Sequence, residues 1–198
     1  MITQYNALAS IPLKTGSTFL RPTQTLPERV RLGDPATDVM TDLSKVSVVS
    51  VRAKTSMDKA NAKMIKYGVR MLLVLDDNEQ LAGLITATDI LGEKPMRFLQ
   101  NMGGTHADIM VRDIMTPQRE LEVLGIEEVK KARVGDIVMT LKKANRQHSM
   151  VVSEKPDGTH AVCGLFSLTQ IARQLGAQVQ SFELARTFSE IEAVIAKN

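Results

Sequence analysis

Beyond the first 36 residues, the order of apolar and polar positions predicts a unit of short strands and helices. Apolar and β-branched runs predict strands at 46–51, 71–75 and 81–86, with a polar turn between the last two. Apolar residues at helical spacing predict a helix that ends at Gly68. A second helix begins at Ala87, so the unit is ordered strand, helix, strand, strand, helix.

The same order returns in the second half of the chain. Three pairs of segments match at separations of 75, 78 and 81 positions, as expected if the second copy carries two loop insertions. One insertion falls in the turn at 155–159, and a helix is predicted at 134–145. A unit of about 60 residues buries little core alone, so we expect the copies to pack on each other. The matched segments are 37–41 with 112–116, 69–74 with 147–152, and 83–86 with 164–167.

The segments outside the copies differ from them in composition. Four of the seven prolines lie in the first 36 residues, which predicts either an extended arm on a core or partner, or a poorly ordered terminus. Between the copies a helix is predicted at 95–102, with Pro95 at its first position. We therefore expect an extended N-terminal arm at 1–36, a first repeat at 37–92, a helical linker at 93–112, a second repeat at 113–175 and a C-terminal tail with a helix at 176–198.

The tail carries its own helix signal. The capping box Thr187–Glu190 predicts a helix that runs to about Ala196. An apolar stripe on this tail either contacts another subunit or packs on its own module. The stripe consists of Phe182, Phe188, Ile191 and Ile195.

Composition and charge narrow the class of protein. The longest apolar run, Met71–Leu75, is far shorter than the roughly 20 residues that cross a bilayer, so no membrane segment is expected. The single cysteine, Cys163, allows no internal disulfide and favours a reducing, cytoplasmic setting. A net charge of +3 without a clustered basic face argues against nucleic-acid binding. His106 and His160 have no partner at metal-ligand spacing, so no metal site is predicted.

Each copy ends its last strand on a hydroxyl residue that can begin a helix, in Thr86–Asp89 and Ser167–Gln170. Both tetrapeptides are ordinary helix caps, which is the plainer interpretation. The same geometry can hold a phosphate on the backbone N–H groups and the Thr86 hydroxyl, while Asp89 accepts the hydroxyls of a ribose. Gln170 carries no charge and is the weaker acceptor, so the site around Thr86 and Asp89 is favoured.

The duplicated unit resembles the cystathionine β-synthase (CBS) domain pair, also called a Bateman module, of the stand-alone type. The resemblance rests on the Asp-Val-Met-Thr and Asp-Ile-Met-Thr starts and on the run from Gly83 to Ile90, and it covers about residues 37–175. It implies an α/β (α+β) fold of two tandem β-α-β-β-α repeats packed in pseudo-two-fold symmetry. Members commonly bind adenosyl ligands between the repeats, and two pairs often form a disc-shaped homodimer.

The resemblance also implies roles for individual residues. Thr86 would contact phosphate and Asp89 would contact ribose. Met40 and Thr41 begin the first repeat, where family members line the adenine pocket with apolar side chains and backbone groups.

Arg70 and His148 lie before the middle strands, where some relatives place a phosphate-binding His or Arg. For His148, a half-exposed strand residue and a pH-sensitive group are alternative interpretations. Ser167 retains the hydroxyl of the second copy, whereas Gln170 departs from the aspartate of the family and puts the second site in doubt.

These observations favour a regulatory module that binds an adenosyl nucleotide, of the AMP, ATP or S-adenosylmethionine type, mainly at the Thr86/Asp89 site. The sequence has no P-loop, nucleophile elbow or zinc-protease motif, so we expect no catalytic residue, no enzymatic activity and no required cofactor. The regulated protein partner is unknown. The alternative is a ligand-free protein-interaction or dimerisation scaffold, which the capping interpretation and Gln170 favour.

Overall fold

The computed structural model describes residues 12, 14, 15, 23–177 and 184–196. Within these residues the chain is a mixed α/β protein with two four-stranded sheets. The strands are β1 Thr41–Asp42, β2 Ser50–Arg52, β3 Met71–Leu75, β4 Leu81–Thr86, β5 Thr116–Pro117, β6 Val123–Gly125, β7 His148–Glu154 and β8 His160–Ser167. The helices are α1 Met57–Tyr67, α2 Ala87–Leu91, α3 Lys94–Met102, α4 Val111–Ile114, α5 Ile126–Val129, α6 Val134–Lys143, α7 Leu168–Gln174 and α8 Leu184–Ile195. Short 3-10 helices lie at Ala36–Val39, His106–Asp108 and Gln118–Glu120.

Each sheet takes three strands from one repeat and one strand from the other. The first sheet has the order β2-β3-β4-β5, and the second has the order β1-β8-β7-β6. In both sheets one pair is parallel and the others are antiparallel. The repeats thus exchange their first strands, β1 and β5, in a reciprocal way. The predicted fold class and pseudo-two-fold relation are confirmed, but the sequence did not indicate this exchange.

The strand registers correct the sequence alignment of the two repeats. Val74 pairs with Gly83 and Val151 pairs with Gly164, and a bulge follows each valine. Val74 therefore corresponds to Val151, 77 positions away, rather than to Val152 as the predicted separation of 78 requires.

This shift reassigns the residues before the middle strands. The Ala87 N–H donates to the Arg70 carbonyl, and the Leu168 N–H donates to the Gln147 carbonyl in the same way. Arg70 is thus the counterpart of Gln147, and His148 is the first residue of β7. The predicted equivalence of Arg70 and His148 is wrong because alignment by residue type does not reveal how a strand is paired.

The helices and hairpins follow local signals more closely. The helix α1 ends at Gly68, which adopts φ of 63° and donates its N–H to the carbonyls of Ile65 and Met64. The strands β3 and β4 have the predicted bounds. The strand predicted at 46–51 is reduced to β2, because residues 43–49 connect one sheet to the other. The helix α3 begins at Lys94, so Pro95 lies at its second position rather than its first.

Two apolar clusters form the core, one beneath each sheet. The first includes Met57 of α1 and Ile85 of β4, both fully buried. The second includes Phe166 of β8, and it also takes up Phe188 and Ile191 of α8. These two residues of the tail stripe therefore pack on their own module, while Phe182 lies outside the described residues.

The helix α8 begins at Leu184, three residues before Thr187. The predicted capping box at Thr187 is therefore wrong as a helix start, since Thr187 lies buried inside the helix.

The described part of the arm, residues 23–36, lies on the second repeat. The Ala36 N–H donates to the Ala132 carbonyl, and the Val30 N–H donates to the Gln174 carbonyl. Most of the arm before residue 23 lies outside the described residues. Across the part of the chain that the structure describes, each helix is too short or too polar to span a bilayer.

Candidate functional site

A cleft of about 400 Å³ lies between the two repeats, and we call it the first cleft. The end of β4 and the start of α2 form one wall, and the start of β7 with the segment before β6 forms the other. Its lining residues are Leu84, Thr86, Thr88, Asp89, Thr116, Glu120, Leu121, Glu122, Asn145, Arg146, Gln147, His148, Ser149 and Met150.

Thr86 and Asp89 form a capping box at the start of α2. The Asp89 N–H donates to Thr86 Oγ1 at 3.2 Å, and the Thr86 N–H donates to Asp89 Oδ2 at 2.8 Å. The Thr86 hydroxyl also donates to Asp89 Oδ2, at 2.7 Å. The capping interpretation is therefore confirmed for the first repeat. In the second repeat Ser167 makes no side-chain cap bond.

The second carboxylate oxygen of Asp89 is also in contact with a charge. Lys94 Nζ, at the first position of α3, lies 2.6 Å from Asp89 Oδ1 and donates to the Ile114 carbonyl at 3.1 Å. Asp89 is only 9% exposed, so this ion pair is partly shielded from water. A ribose that binds Asp89 would share the carboxylate with Lys94 and Thr86.

His148 reaches the first cleft from β7 and is uncharged at neutral pH. Burial, with a smaller contribution from the charge of Arg70, lowers the pKa of His148 to about 4, and the charge of Asp89 opposes the shift. A neutral imidazole can donate one hydrogen bond and accept another, but it offers no positive charge to a phosphate. The pKa of Arg70 is itself lowered by partial burial and by the nearby Arg173.

The strand exchange separates the predicted site residues into two groups. Thr86, Asp89 and His148 line the first cleft. Thr41 instead pairs with Leu165 of β8, which brings Met40 and Thr41 beside the end of the second repeat. We call the region of Met40–Asp42, Ser167 and Gln170 the second site.

Arg70 corresponds to Gln147 of the first cleft and is therefore assigned to the second site by the pseudo-two-fold relation. Of the seven candidate residues, Thr86, Asp89 and His148 line the first cleft, whereas Met40, Thr41, Arg70 and Ser167 do not.

Sequence reasoning missed the residues that the second repeat contributes to the first cleft. Thr116 of β5, together with Leu121 and Met150, lines the same cleft as Thr86. The match between 37–41 and 112–116 was the available signal for Thr116. It makes Thr116 the counterpart of Thr41, so the two residues are expected at equivalent positions in the two sites.

Charges in the first cleft are largely balanced in pairs. Arg146 Nη2 lies 3.1 Å from Glu122 Oε2, and Asp89 is paired with Lys94. Glu120 lies 3.5 Å from Arg119. Residues 23–177 and 184–196 contain no cluster of three or more His, Cys, Asp or Glu side chains that could hold a metal ion.

Comparisons with known proteins identify the repeated unit. The CBS domain model matches residues 36–95. Among curated proteins, none matches the chain significantly.

Solved structures share the arrangement over most of their length. An uncharacterized conserved protein from Pyrococcus horikoshii is 21% identical, with a TM-score of 0.53 over 77% of this chain and 99% of that one. The CBS-domain containing protein ATU1752 from Agrobacterium tumefaciens is 15% identical, with a TM-score of 0.51 over 70% of this chain and 91% of that one. CBSX2 in complex with AMP is 26% identical and covers 71% of this chain and 95% of its own, with a TM-score of 0.49. The structures with scores above 0.5 show the same fold.

Proposed function

We propose that this chain, whose residues 36–95 match the CBS domain model, is a regulatory module that binds an adenosyl ligand in the first cleft. The observation that supports the proposal is the cleft itself, about 400 Å³ in volume and lined by residues of both repeats. This volume is in the range of small-molecule sites. Leu84, Leu121 and Met150 provide apolar surface for a base, and Thr86 with Asp89 provides polar groups for a sugar.

The charges of the first cleft favour a ligand with few negative charges. Arg146 is paired with Glu122, and His148 is neutral because its pKa is about 4. A triphosphate would have to break the Arg146 pair or remain close to Glu120 and Glu122. We therefore expect adenosine, AMP or S-adenosylmethionine to bind more tightly than ATP.

The test is calorimetric titration of the full chain with adenosine, AMP, ATP and S-adenosylmethionine. We expect Asp89→Asn to weaken binding about tenfold or more, because a charge-assisted hydrogen bond to the ribose contributes about 1.5–3 kcal/mol. The absence of heat with every ligand at millimolar concentration would overturn the proposal.

Asp113→Asn is the matched control for this variant. Asp113 accepts the Met110 N–H at 2.8 Å at the start of α4, in the same capping role, and it is not among the residues that line the first cleft. Its loss should lower stability without changing affinity. Equal losses of affinity in both variants would show that Asp89 acts through folding alone.

A ligand-free interaction scaffold is the second candidate. The Asp89–Lys94 contact favours it, because this pair already satisfies the carboxylate without a ligand. Under either function we propose a homodimer formed through the repeats and regulation of a partner protein. Exposed apolar side chains on helices support the homodimer, among them Ile65 of α1 at 73% exposure and Met139 of α6 at 64%.

A further inference from the structure

The described arm covers the second site with a side chain that bonds to backbone groups of β1. Gln24 Nε2 donates to the Met40 carbonyl at 2.9 Å, and Gln24 Oε1 accepts the Asp42 N–H at 2.8 Å. The carboxamide thus uses its donor and its acceptor together on residues two positions apart.

These backbone groups belong to the open edge of β1. Thr41 pairs with Leu165, and the Leu43 N–H donates to the Cys163 carbonyl, so the odd-numbered residues face β8. The Met40 carbonyl and the Asp42 N–H therefore point away from the sheet, where they need another partner. Gln24 takes the place that a neighbouring strand would occupy.

A chain of side-chain amides joins the arm to the position of the missing carboxylate. Gln170, the counterpart of Asp89, donates to Gln174 Oε1 at 3.3 Å. Gln174 Nε2 donates in turn to the carbonyls of Pro27, at 2.7 Å, and Asp38, at 3.1 Å. Gln174 is only 7% exposed, so these bonds lie in a nearly dry environment. The glutamine that replaces the acidic residue is therefore connected to the arm that covers the site.

The first cleft lacks this backbone donor and acceptor pair. Its exchanged strand β5 places Pro117 where β1 has Asp42, and proline has no N–H to donate. The donor and acceptor pair that Gln24 occupies thus exists at the second site and not at its pseudo-symmetric counterpart.

We propose that Gln24 of the arm is an intramolecular competitor at the second site, where it takes the place of a planar group with a neighbouring donor and acceptor. Adenine presents such an edge, with its amino group beside a ring nitrogen, and carboxamides match it in hydrogen-bonding pattern. The choice of adenine as the competing group rests on the proposed function. The closure of the site by the arm rests on the contacts of Gln24 and Gln174.

The experiment compares the full-length wild type with Gln24→Ala and Gln24→Glu. Glutamate keeps the shape but replaces the donor by an oxygen that faces the Met40 carbonyl. Thr25→Ala is the matched control, since Thr25 is the exposed next residue. Hydrogen exchange at the Asp42 amide reports the docking of the arm, and calorimetric titration with adenosine reports the number of sites.

We expect both Gln24 variants to raise the exchange rate at Asp42 about tenfold, because each loses hydrogen bonding that docks the arm on the edge of β1. Adenosine bound per chain should rise by one in these variants and stay at the wild-type number in Thr25→Ala. Unchanged exchange at Asp42, or an unchanged number of bound adenosines in both Gln24 variants, overturns the inference.

The two proposals fail in distinguishable ways. A wild-type protein that binds no adenosine, beside a Gln24→Ala variant that binds one, contradicts the proposed function of the first cleft and supports the arm as a competitor. A wild type and a variant that each bind one adenosine, with Asp89→Asn weakening both, support the first cleft and overturn the inference.

Discussion

His148 makes the folded protein sensitive to acid. Its pKa of about 4 lies below the ordinary histidine value of 6.5, because the protonated ring is disfavoured by burial and by Arg70. The unfolded chain takes up a proton near pH 6.5, and the folded chain does so only near pH 4. The unfolded state therefore binds more protons in this window, and stability falls as the pH falls.

We predict that the free energy of unfolding decreases from pH 6.5 to pH 5 with a contribution from His148 of up to about 1.4 kcal/mol per pH unit. Urea denaturation across this range measures the slope. His148→Gln should flatten it, whereas His160→Gln, at an exposed position, should leave it unchanged. A slope that is parallel in wild type and His148→Gln would contradict the prediction.

At the scale of elements, two glycines mark the places where the exchanged strands cross. A Cβ built on Gly83 of β4 would lie 2.4 Å from the Thr116 backbone oxygen of β5. A Cβ built on Gly164 of β8 would lie 2.6 Å from Met40 Sδ. The first obstacle is backbone in a paired strand, while the second is the flexible end of a side chain.

We predict that Gly83→Ala destabilises the protein by about 1–3 kcal/mol and that Gly164→Ala costs less, because Met40 can change rotamer and β5 cannot move without losing its pairing with β4. Chemical denaturation of the two variants measures the difference. Equal losses of stability in the two variants would contradict the prediction, because they would mean that β5 adjusts as easily as the Met40 side chain.

At the scale of the whole molecule, exposed apolar side chains on the helices support self-association. We predict a homodimer in solution, measured by analytical ultracentrifugation, that Ile65→Lys on α1 and Met139→Lys on α6 weaken. A charged side chain at either position would have to be desolvated in the interface. Val48→Lys, in the connection between β1 and β2, is the control and should leave association unchanged.

A monomer at all concentrations would contradict the predicted homodimer. A dimer that neither helix variant affects would assign the interface to another surface.

Local elements could be predicted from the sequence where local chemistry decides them. Gly68 ends α1 through its left-handed conformation, and the run 71–75 forms β3 because it is continuously apolar. The segment 46–51 failed as a full strand although its residues are β-branched, because the chain there passes from one sheet to the other. The β-propensity of these residues carries no information about whether the chain must cross between sheets.

The candidate site was predictable only in the part that is contiguous in sequence. Thr86 and Asp89 belong to one capping box, which the sequence shows directly, and both line the first cleft. Met40 and Thr41 do not line this cleft, because the partner of β1 is β8, a pairing between residues more than 120 positions apart. The one-residue shift at His148 arose because residue types allow 69–74 to be matched with 147–152, whereas the cross-strand partners Gly83 and Gly164 align Val74 with Val151.

The exchange of β1 and β5 means that the unit repeated in the sequence is not a unit that can be excised. A cut between the repeats, near Gly104, would leave the first half without β5 beside β4 and the second half without β1 beside β8. Each fragment would expose a strand edge that only the other fragment is shaped to complete. The two halves are thus held together by the pairing of β5 with β4 and of β1 with β8, rather than by the short linker between them.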